Sequence, residues 1–220
     1  MLNPLLRFGV YYFVFSYLFI VKVPKFTLYL LLGVFLWNFF QDVSSSAINA
    51  VRSRSKLTKT IFIPRYLIVF ASTLTALFSF VINTLLLTIA VIIFDHIGAL
   101  QIFAIFPFIL LVFLSTGVGL LLAILFVHFR DISEIWNVIL TLGFFLTPIM
   151  YDPHNVPAPL ATVALLNPVG RVLVMFRAYM LFDNIPTWAF SLTTVAVCIG
   201  IFVLGIWLFI KYEHRIPEYV

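Results

Sequence analysis

The stretch that decides the topology is Val51–Arg65, VRSRSKLTKTIFIPR, which carries five basic residues and no acidic one. One arginine or lysine at the centre of a bilayer costs about 2.5–3.5 kcal/mol, so burying all five costs roughly 12–17 kcal/mol. The stretch therefore stays in water or among lipid headgroups. Because long apolar runs flank it, the positive-inside rule places it in the cytoplasm and fixes the direction of the neighbouring spans.

The composition excludes an ordinary soluble domain. Hydrophobic residues make up 64% of the chain and charged residues 10%, whereas soluble domains have about 25% charged residues. The net charge of +5 sits mostly in one loop, which favours lipid headgroups or a protein partner over nucleic acid. The single cysteine, Cys198, lies in an apolar run and is predicted to be a buried thiol.

The apolar segments predict an all-α integral membrane protein in which residues 1–220 form a single transmembrane domain. Six spans are expected at about 3–21, 26–50, 66–94, 102–127, 135–151 and 184–210, with a cytoplasmic loop at 51–65. Residues 152–183 are rich in proline, and their two apolar pieces are interrupted by Asn167 and Pro168. This pattern predicts short re-entrant helices on the external side, between the fifth and sixth spans.

The distribution of basic residues supports this topology, with both termini in the cytoplasm. Nine are expected inside and four outside. Those inside are Arg7, Arg52, Arg54, Lys56, Lys59, Arg65, Arg130, Lys211 and Arg215, and those outside are Lys22, Lys25, Arg171 and Arg177.

Polar residues form a stripe on the second predicted span. Asn38, Gln41, Ser45 and Asn49 recur every three or four residues and so share one helical face. A polar face in a membrane must meet protein or water. It therefore either makes hydrogen bonds between helices or lines a conduit.

The sequence offers no set of catalytic residues. It has no GxxxxGK[ST] phosphate-binding loop, and Asp152 with His154 provides too few ligands to predict a metal site. The spans contain almost no acidic residues, which argues against an ion-coupled pump. We therefore expect a non-enzymatic membrane protein that takes its energy from another chain.

Three segments resemble one family in the same order. They are LWNFFQDVSSSAINAVRSRSKLTKTIFIPR (36–65), VHFRDISEIWNVILTLGFFLTPIMY (127–151) and LLNPVGRVLVMFRAYML (165–181). Together they resemble ABC-2 type permeases that export polysaccharides, which include O-antigen, capsule and teichoic-acid exporters. Members of that family usually begin with an amphipathic interfacial helix upstream of a segment like LNPLLRFGVYYFVF, whereas this sequence starts at Met1. In that family, the interfacial helix contributes to anchoring at the inner membrane surface and to part of the contact with the ATPase.

The resemblance implies two copies of this chain with two separate ATPase subunits. The chain itself then binds no cofactor, and ATP and magnesium belong to the partner ATPase. The implied coupling residues are Arg52, Arg54, Lys56, Lys59, Arg65, Arg130 and Asp131. The alternative for the basic loop is a purely topogenic, lipid-binding role.

Aromatic residues on the first, second and fifth spans are candidates for a sugar path, because sugar rings present apolar C–H faces. They are Tyr11, Tyr12, Tyr17, Trp37, Phe39, Phe40, Phe144, Phe145 and Tyr151. The alternative is that they form the ordinary interfacial belt or face lipid. A candidate external gate consists of Asn167, Pro168, Arg171 and Arg177, whose arginines either gate the exit or bind lipid phosphate.

The expected function is that of a permease in the cytoplasmic membrane of a bacterium or archaeon. It contacts membrane lipids and moves a lipid-linked polysaccharide across that membrane. One alternative is an ABC-2 permease for a drug, lipid or other small molecule. Two others are a membrane-embedded transferase and an assembly factor with no transport role.

Overall fold

The structure is a computed structural model that describes residues 25–54 and 99–213, together with a few isolated positions elsewhere. These residues form helices and turns and no strand, which confirms the all-α prediction for this part of the chain. The predicted first and third spans lie almost entirely outside the described residues, as do Ser55–Arg65 of the basic loop and the residues after Glu213.

Six α-helices follow one another in the described part. They are α1 (Phe26–Arg54), α2 (Ile105–His128), α3 (Ile132–Leu146), α4 (Ala158–Leu166), α5 (Pro168–Met180) and α6 (Trp188–Glu213). Short 3-10 helices at Ala99–Ala104 and Pro153–Asn155 precede α2 and α4.

Three of these helices are long and apolar enough to cross a membrane, over Phe26–Ile48, Leu100–His128 and Trp188–Tyr212. A fourth crossing is possible if α4 and α5, which meet at 95°, count as one bent span. The described residues therefore contain three to four candidate spans. The predicted total of six, and the re-entrant placement of α4 and α5, stay predictions.

Helix α1 continues past the predicted end at residue 50 and is described as far as Arg54. No glycine or proline interrupts Ala50–Arg54, and alanine and arginine are strong helix formers. At 1.5 Å per residue its 29 residues extend about 44 Å, whereas the hydrocarbon core is about 30 Å thick. The first residues of the predicted basic loop are thus the last turn of a helix that is longer than the hydrocarbon core.

Helix α3 is shorter than the predicted span at 135–151. It has 15 residues and ends at Leu146, with Thr147 in an extended conformation. The residue before a proline is disfavoured in the helical region, and Pro148 follows Thr147. The prediction that this helix reaches Tyr151 was therefore wrong.

Helix α2 lies at the centre of the described bundle, between α1 and α6. A Cβ atom added to Gly119 would come within 2.9 Å of the Cβ atom of Ala47 on α1. One added to Gly117 would come within 2.7 Å of the Cα atom of Phe202 on α6. The lack of a side chain at these two glycines therefore lets α2 approach α1 and α6 closely.

Helix α6 buries one narrow stripe and exposes the rest of its surface. Thr194, Cys198 and Phe209 are almost completely buried, whereas Leu192, Val203 and Trp207 are exposed. An apolar helix with this exposure is suited to contact with lipid. The buried position of Cys198 agrees with its prediction.

Candidate functional site

A cavity of about 360 Å³ lies between α1 and α3. Its lining combines rings with amide and hydroxyl groups. The lining residues are Trp37, Asn38 and Gln41 on α1 and Leu140, Thr141, Phe144 and Phe145 on α3. The volume falls within the usual range for ligand pockets, about 300–1,000 Å³.

The aromatic side of the cavity is one connected cluster. The Trp37 ring lies 6.1 Å from the ring of Phe144, which lies 5.5 Å from that of Phe145. Outside the cavity lining, the ring centroid of Phe40 lies 5.6 Å from that of Trp37 and 6.2 Å from that of Trp136. Edge-to-face and tilted pairs of this kind hold the rings in defined orientations.

Gly143 makes room for the indole of Trp37. A Cβ atom at this position would lie 2.9 Å from Cη2 of Trp37, which is too close for an undisturbed contact. Because Gly143 has no side chain, the indole ring of Trp37 packs directly against the backbone of α3.

The polar side of the cavity comes from the stripe on α1. Asn38 and Gln41 line the cavity, and the Nδ2 atom of Asn38 is buried without a hydrogen-bond partner. The Oγ atom of Ser45, one turn beyond Gln41, is also buried and unpaired. The side chain of Asn49 lies outside the described residues. These two groups make no hydrogen bond between helices, and the conduit interpretation of the stripe stays a prediction.

Arg177 ties together the ends of three helices beyond the cavity. Its side chain is 2% exposed and donates hydrogen bonds to the carbonyl oxygens of Pro148, of Ile149 at 2.8 Å and of Tyr29 at 2.7 Å. The guanidinium carbon lies 3.3 Å from the centroid of the Tyr29 ring. We call this set of contacts, made by Arg177 with Tyr29, Pro148 and Ile149, the arginine clamp. It joins α5 to the first turn of α1 and to the turn after α3.

Gly33 provides the space for the arginine clamp. A Cβ atom on Gly33 would lie 2.5 Å from Nη2 of Arg177 and 3.0 Å from Cγ2 of Ile149. The clamp therefore depends on a glycine one turn along α1 from Tyr29.

A second set of contacts reinforces the same junction. The Nδ2 atom of Asn167 donates to Oγ1 of Thr147 at 2.7 Å, and its Oδ1 atom accepts from the backbone N–H of Val169 at 3.0 Å. Asn167 is thus the N-cap of α5 and binds the residue at which α3 ends. The turns and helix ends that meet here belong to the second and third segments of the sequence resemblance.

Comparison with known proteins identifies the group to which this architecture belongs. The sequence profile of the ABC-2 type transporter family matches residues 1–181, most of the chain. The chain belongs to the ABC-2 type transporter family. It is therefore a multi-pass membrane protein with a role in transport.

Curated relatives of this family member cover nearly its whole length. A protein of Klebsiella pneumoniae named O-antigen export system permease protein RfbA is 24% identical over 220 residues, covering 98% of this chain and 84% of the relative. A protein of the same name from Myxococcus xanthus is 25% identical over 189 residues, covering 84% and 72%. A second Klebsiella pneumoniae protein of that name is 22% identical over 218 residues.

Three of the aromatic residues predicted to form the sugar path line the cavity of this ABC-2 family member. They are Trp37, Phe144 and Phe145. Phe40 lies behind them, and Phe39 packs against Phe108. The remaining residues of that set lie away from the cavity or outside the described part. Tyr151 sits on the turn after α3, where its hydroxyl donates to Leu146 O, and Tyr11, Tyr12 and Tyr17 are outside the described residues.

Sequence reasoning missed Trp136, Leu140 and Thr141. Trp136, Leu140 and Phe144 are spaced by four residues on α3, which places them on one helical face. Leu140 and Phe144 are also the buried residues of this helix. That spacing was available in the sequence as a signal for the wall of the cavity.

The two arginines of the predicted gate occupy different environments in this ABC-2 family member. Arg177 forms the clamp, whereas Arg171 is partly exposed and binds α6. The Nε atom of Arg171 donates a hydrogen bond to Oγ1 of Thr194 at 3.1 Å, and its Nη2 atom donates to Oγ1 of Thr193 and to the carbonyl oxygen of Phe190. The guanidinium carbon lies 4.6 Å from the centroid of the Phe190 ring. The role of these arginines as a gate stays a prediction.

The predicted ATPase contacts lie at the other end of the bundle from the clamp. Arg130 and Asp131 are exposed in the turn between α2 and α3. Arg52 and Arg54 belong to the last turn of α1, and Lys56, Lys59 and Arg65 lie outside the described residues.

Proposed function

We propose that this chain is the permease subunit of an ATP-driven exporter that moves a lipid-linked polysaccharide across the cytoplasmic membrane. Family membership supports the transport role, and the relatives named as O-antigen export permeases support the substrate class. The structural observation that carries the proposal is the cavity between α1 and α3, where aromatic rings stand beside amide and hydroxyl groups.

The cavity suits a sugar residue because its two kinds of surface match those of a pyranose ring. The apolar C–H faces of the sugar pack against Trp37 and Phe144, and its hydroxyls take hydrogen bonds from Asn38 and Gln41. The Oγ1 atom of Thr141 donates its own hydrogen to Asn137 O and can accept one from a sugar hydroxyl. Leaving a buried donor unpaired costs about 1–3 kcal/mol. A sugar hydroxyl would remove that cost at Asn38 once the side chain turns its buried Nδ2 atom toward the cavity. A long glycan would pass this point one residue at a time.

The expected result of Asn38→Leu is loss of most of the export with no loss of stability. The Nδ2 atom of Asn38 has no protein partner, so replacing the amide by an apolar group of similar size removes an unpaired donor and breaks no contact of that atom. Surface glycan in a strain lacking the native gene measures export, and thermal unfolding of the purified chain measures stability.

The matched control is Asn137→Leu, because Asn137 is exposed on α3 and does not line the cavity. This variant should export normally. Normal export by Asn38→Leu at normal membrane levels would contradict a substrate path through the cavity.

A second candidate function is transport of a drug, a lipid or another small molecule, which the modest cavity volume favours. Deleting the gene separates the two. Loss of a surface polysaccharide with accumulation of its lipid-linked precursor supports the glycan exporter. Unchanged surface glycan with increased sensitivity to small toxic compounds supports the alternative.

Energy comes from a separate ATPase subunit in this proposal, and two copies of the chain form the transmembrane part. The coupling surface consists of the basic end of α1, the loop that follows it and the turn holding Arg130 and Asp131. Complementary charge on the ATPase would orient its docking.

A tagged chain is expected to co-purify with a P-loop ATPase, and Arg130→Glu is expected to reduce the amount recovered. Reversing an exposed charge at a complementary interface weakens association. Lys211→Glu is the control, because Lys211 is exposed at the end of α6 and lies outside the proposed contact. Recovery of the chain without any ATPase, or equal recovery with both variants, would contradict the assignment.

A further inference from the structure

Helix α3 is held to α1 by contacts of unequal strength on either side of the cavity. On one side, the Nε1 atom of Trp136 donates a hydrogen bond to Oγ of Ser44 at 3.2 Å, and its ring meets Phe40 at 6.2 Å. This is a neutral and rather long hydrogen bond, which makes it one of the weaker kinds.

On the other side of the cavity, the turn after α3 is held by the arginine clamp. Three hydrogen bonds from a buried guanidinium reach Pro148, Ile149 and Tyr29, and hydrogen bonds to a charged group are stronger than those between neutral groups. The bond between Asn167 and Thr147 fixes the same turn to the start of α5. This end of α3 is therefore held by more hydrogen bonds, some of them to a charged group, than the end at Trp136.

Between these two ends, α3 has few buried side chains. Leu140 and Phe144 are the buried residues of the helix, whereas Ile135, Val138 and Leu142 are exposed by 51%, 58% and 59%. Little packing along its length opposes a rotation of α3 as a rigid body.

We propose that α3 pivots about the turn Thr147–Ile149, and that the cavity widens by separation of Trp136 from Ser44. Arg177 is then a positioning residue that holds the pivot in place. This inference rests on the proposed function and adds to it the direction in which the cavity opens.

The position of the pivot gives the turn before α3 the largest displacement. Trp136 lies ten residues before Leu146, about 15 Å along the helix, and Arg130 and Asp131 lie further still from the pivot. A small rotation at the clamp thus becomes a larger movement at the turn that is proposed to contact the ATPase. Rigid-body motion of this kind is a common form of switching transition.

The experiment locks each end of α3 in turn with a short bifunctional thiol reagent, in a Cys198→Ala background. Ser44→Cys with Trp136→Cys locks the end proposed to open, and Thr147→Cys with Asn167→Cys locks the proposed pivot. Export is measured as surface glycan in a strain lacking the native gene, before cross-linking, after it, and after the link has been cleaved by a reductant. Each single-cysteine variant treated with the reagent controls for modification alone.

Cross-linking Ser44→Cys to Trp136→Cys should abolish most of the export that the same variant shows before treatment, and reduction should restore it. Cross-linking at the pivot should leave export unchanged. Because each variant is compared with itself, a folding defect cannot produce this difference. Equal effects of the two links, or full export with the Ser44–Trp136 link in place, would overturn the pivot alone. A native chain that restores no surface glycan would overturn the proposed function, and the pivot with it.

Discussion

Arg177→Lys is expected to lower the free energy of unfolding of the chain by about 2–4 kcal/mol, because lysine cannot reproduce the fork of the guanidinium. The three carbonyl oxygens that Arg177 binds come from the turn after α3 and from α1. A lysine keeps the charge in a buried site but leaves part of this acceptor set unsatisfied. It also loses the flat contact with the ring of Tyr29, where the guanidinium carbon now lies 3.3 Å from the centroid. Chemical unfolding of the purified chain in detergent measures the effect.

The matched control is Arg171→Lys, six residues earlier on the same helix. Arg171 is partly exposed and binds the hydroxyls of Thr193 and Thr194, so a flexible lysine retains part of these contacts and water replaces the rest. The expected loss is below about 1 kcal/mol, as for most partly exposed polar positions. An equal or larger effect of Arg171→Lys would show that the clamp does not carry the stability assigned to it.

Gly205→Ala is expected to destabilise the chain by about 1–3 kcal/mol, the usual cost of overpacking a tight contact. The added Cβ atom would lie 2.6 Å from the carbonyl oxygen of Gly117 and 3.1 Å from its Cα atom. Both atoms belong to the backbone of α2, so the clash is relieved only by moving one helix away from the other. The same unfolding measurement detects this, as does a lower level of the variant in the membrane.

Gly200→Ala provides the control for the glycine prediction on the same helix. A Cβ atom at Gly200 meets nothing within 4 Å, and alanine favours a helix over glycine by about 1 kcal/mol. This variant should be neutral or slightly more stable. If both variants behave alike, then the close packing of α2 against α6 does not depend on Gly205.

The walls of the cavity were partly predictable from the sequence. The spacing of Asn38, Gln41 and Ser45 placed them on one face of a helix, and the structure puts the first two of these in the cavity. The aromatic residues were less informative, because Trp37, Phe39 and Phe40 are neighbours along the chain but point in different directions. Only the packing of α3 against α1 decides which of the three lines the cavity.

The arginine clamp was not predictable from the sequence. Arg177 was expected on the external side, as part of an exit gate or as a ligand of lipid phosphate. The structure buries it among backbone carbonyls instead. Two of these carbonyl oxygens belong to the turn that Pro148 creates after α3. The third is that of Tyr29 in α1, and a carbonyl oxygen has two lone pairs, so it can accept from Arg177 in addition to a backbone N–H of the helix. Tyr29 and Ile149 stand 148 and 28 residues away in the chain, so no local pattern reveals them.

The sequence by itself determined that the chain is helical and lies in a membrane, since a composition with 64% hydrophobic residues leaves no other solvent for its apolar segments. It also predicted the helix break at Asn167, because the residue before a proline is restricted whatever its surroundings. The break before Pro148 has the same physical cause, but the predicted span at 135–151 ran past it. The tertiary structure alone decided which side chains share the cavity and which carbonyl oxygens Arg177 binds. These depend on distances between segments far apart in the chain, and such distances are set by packing.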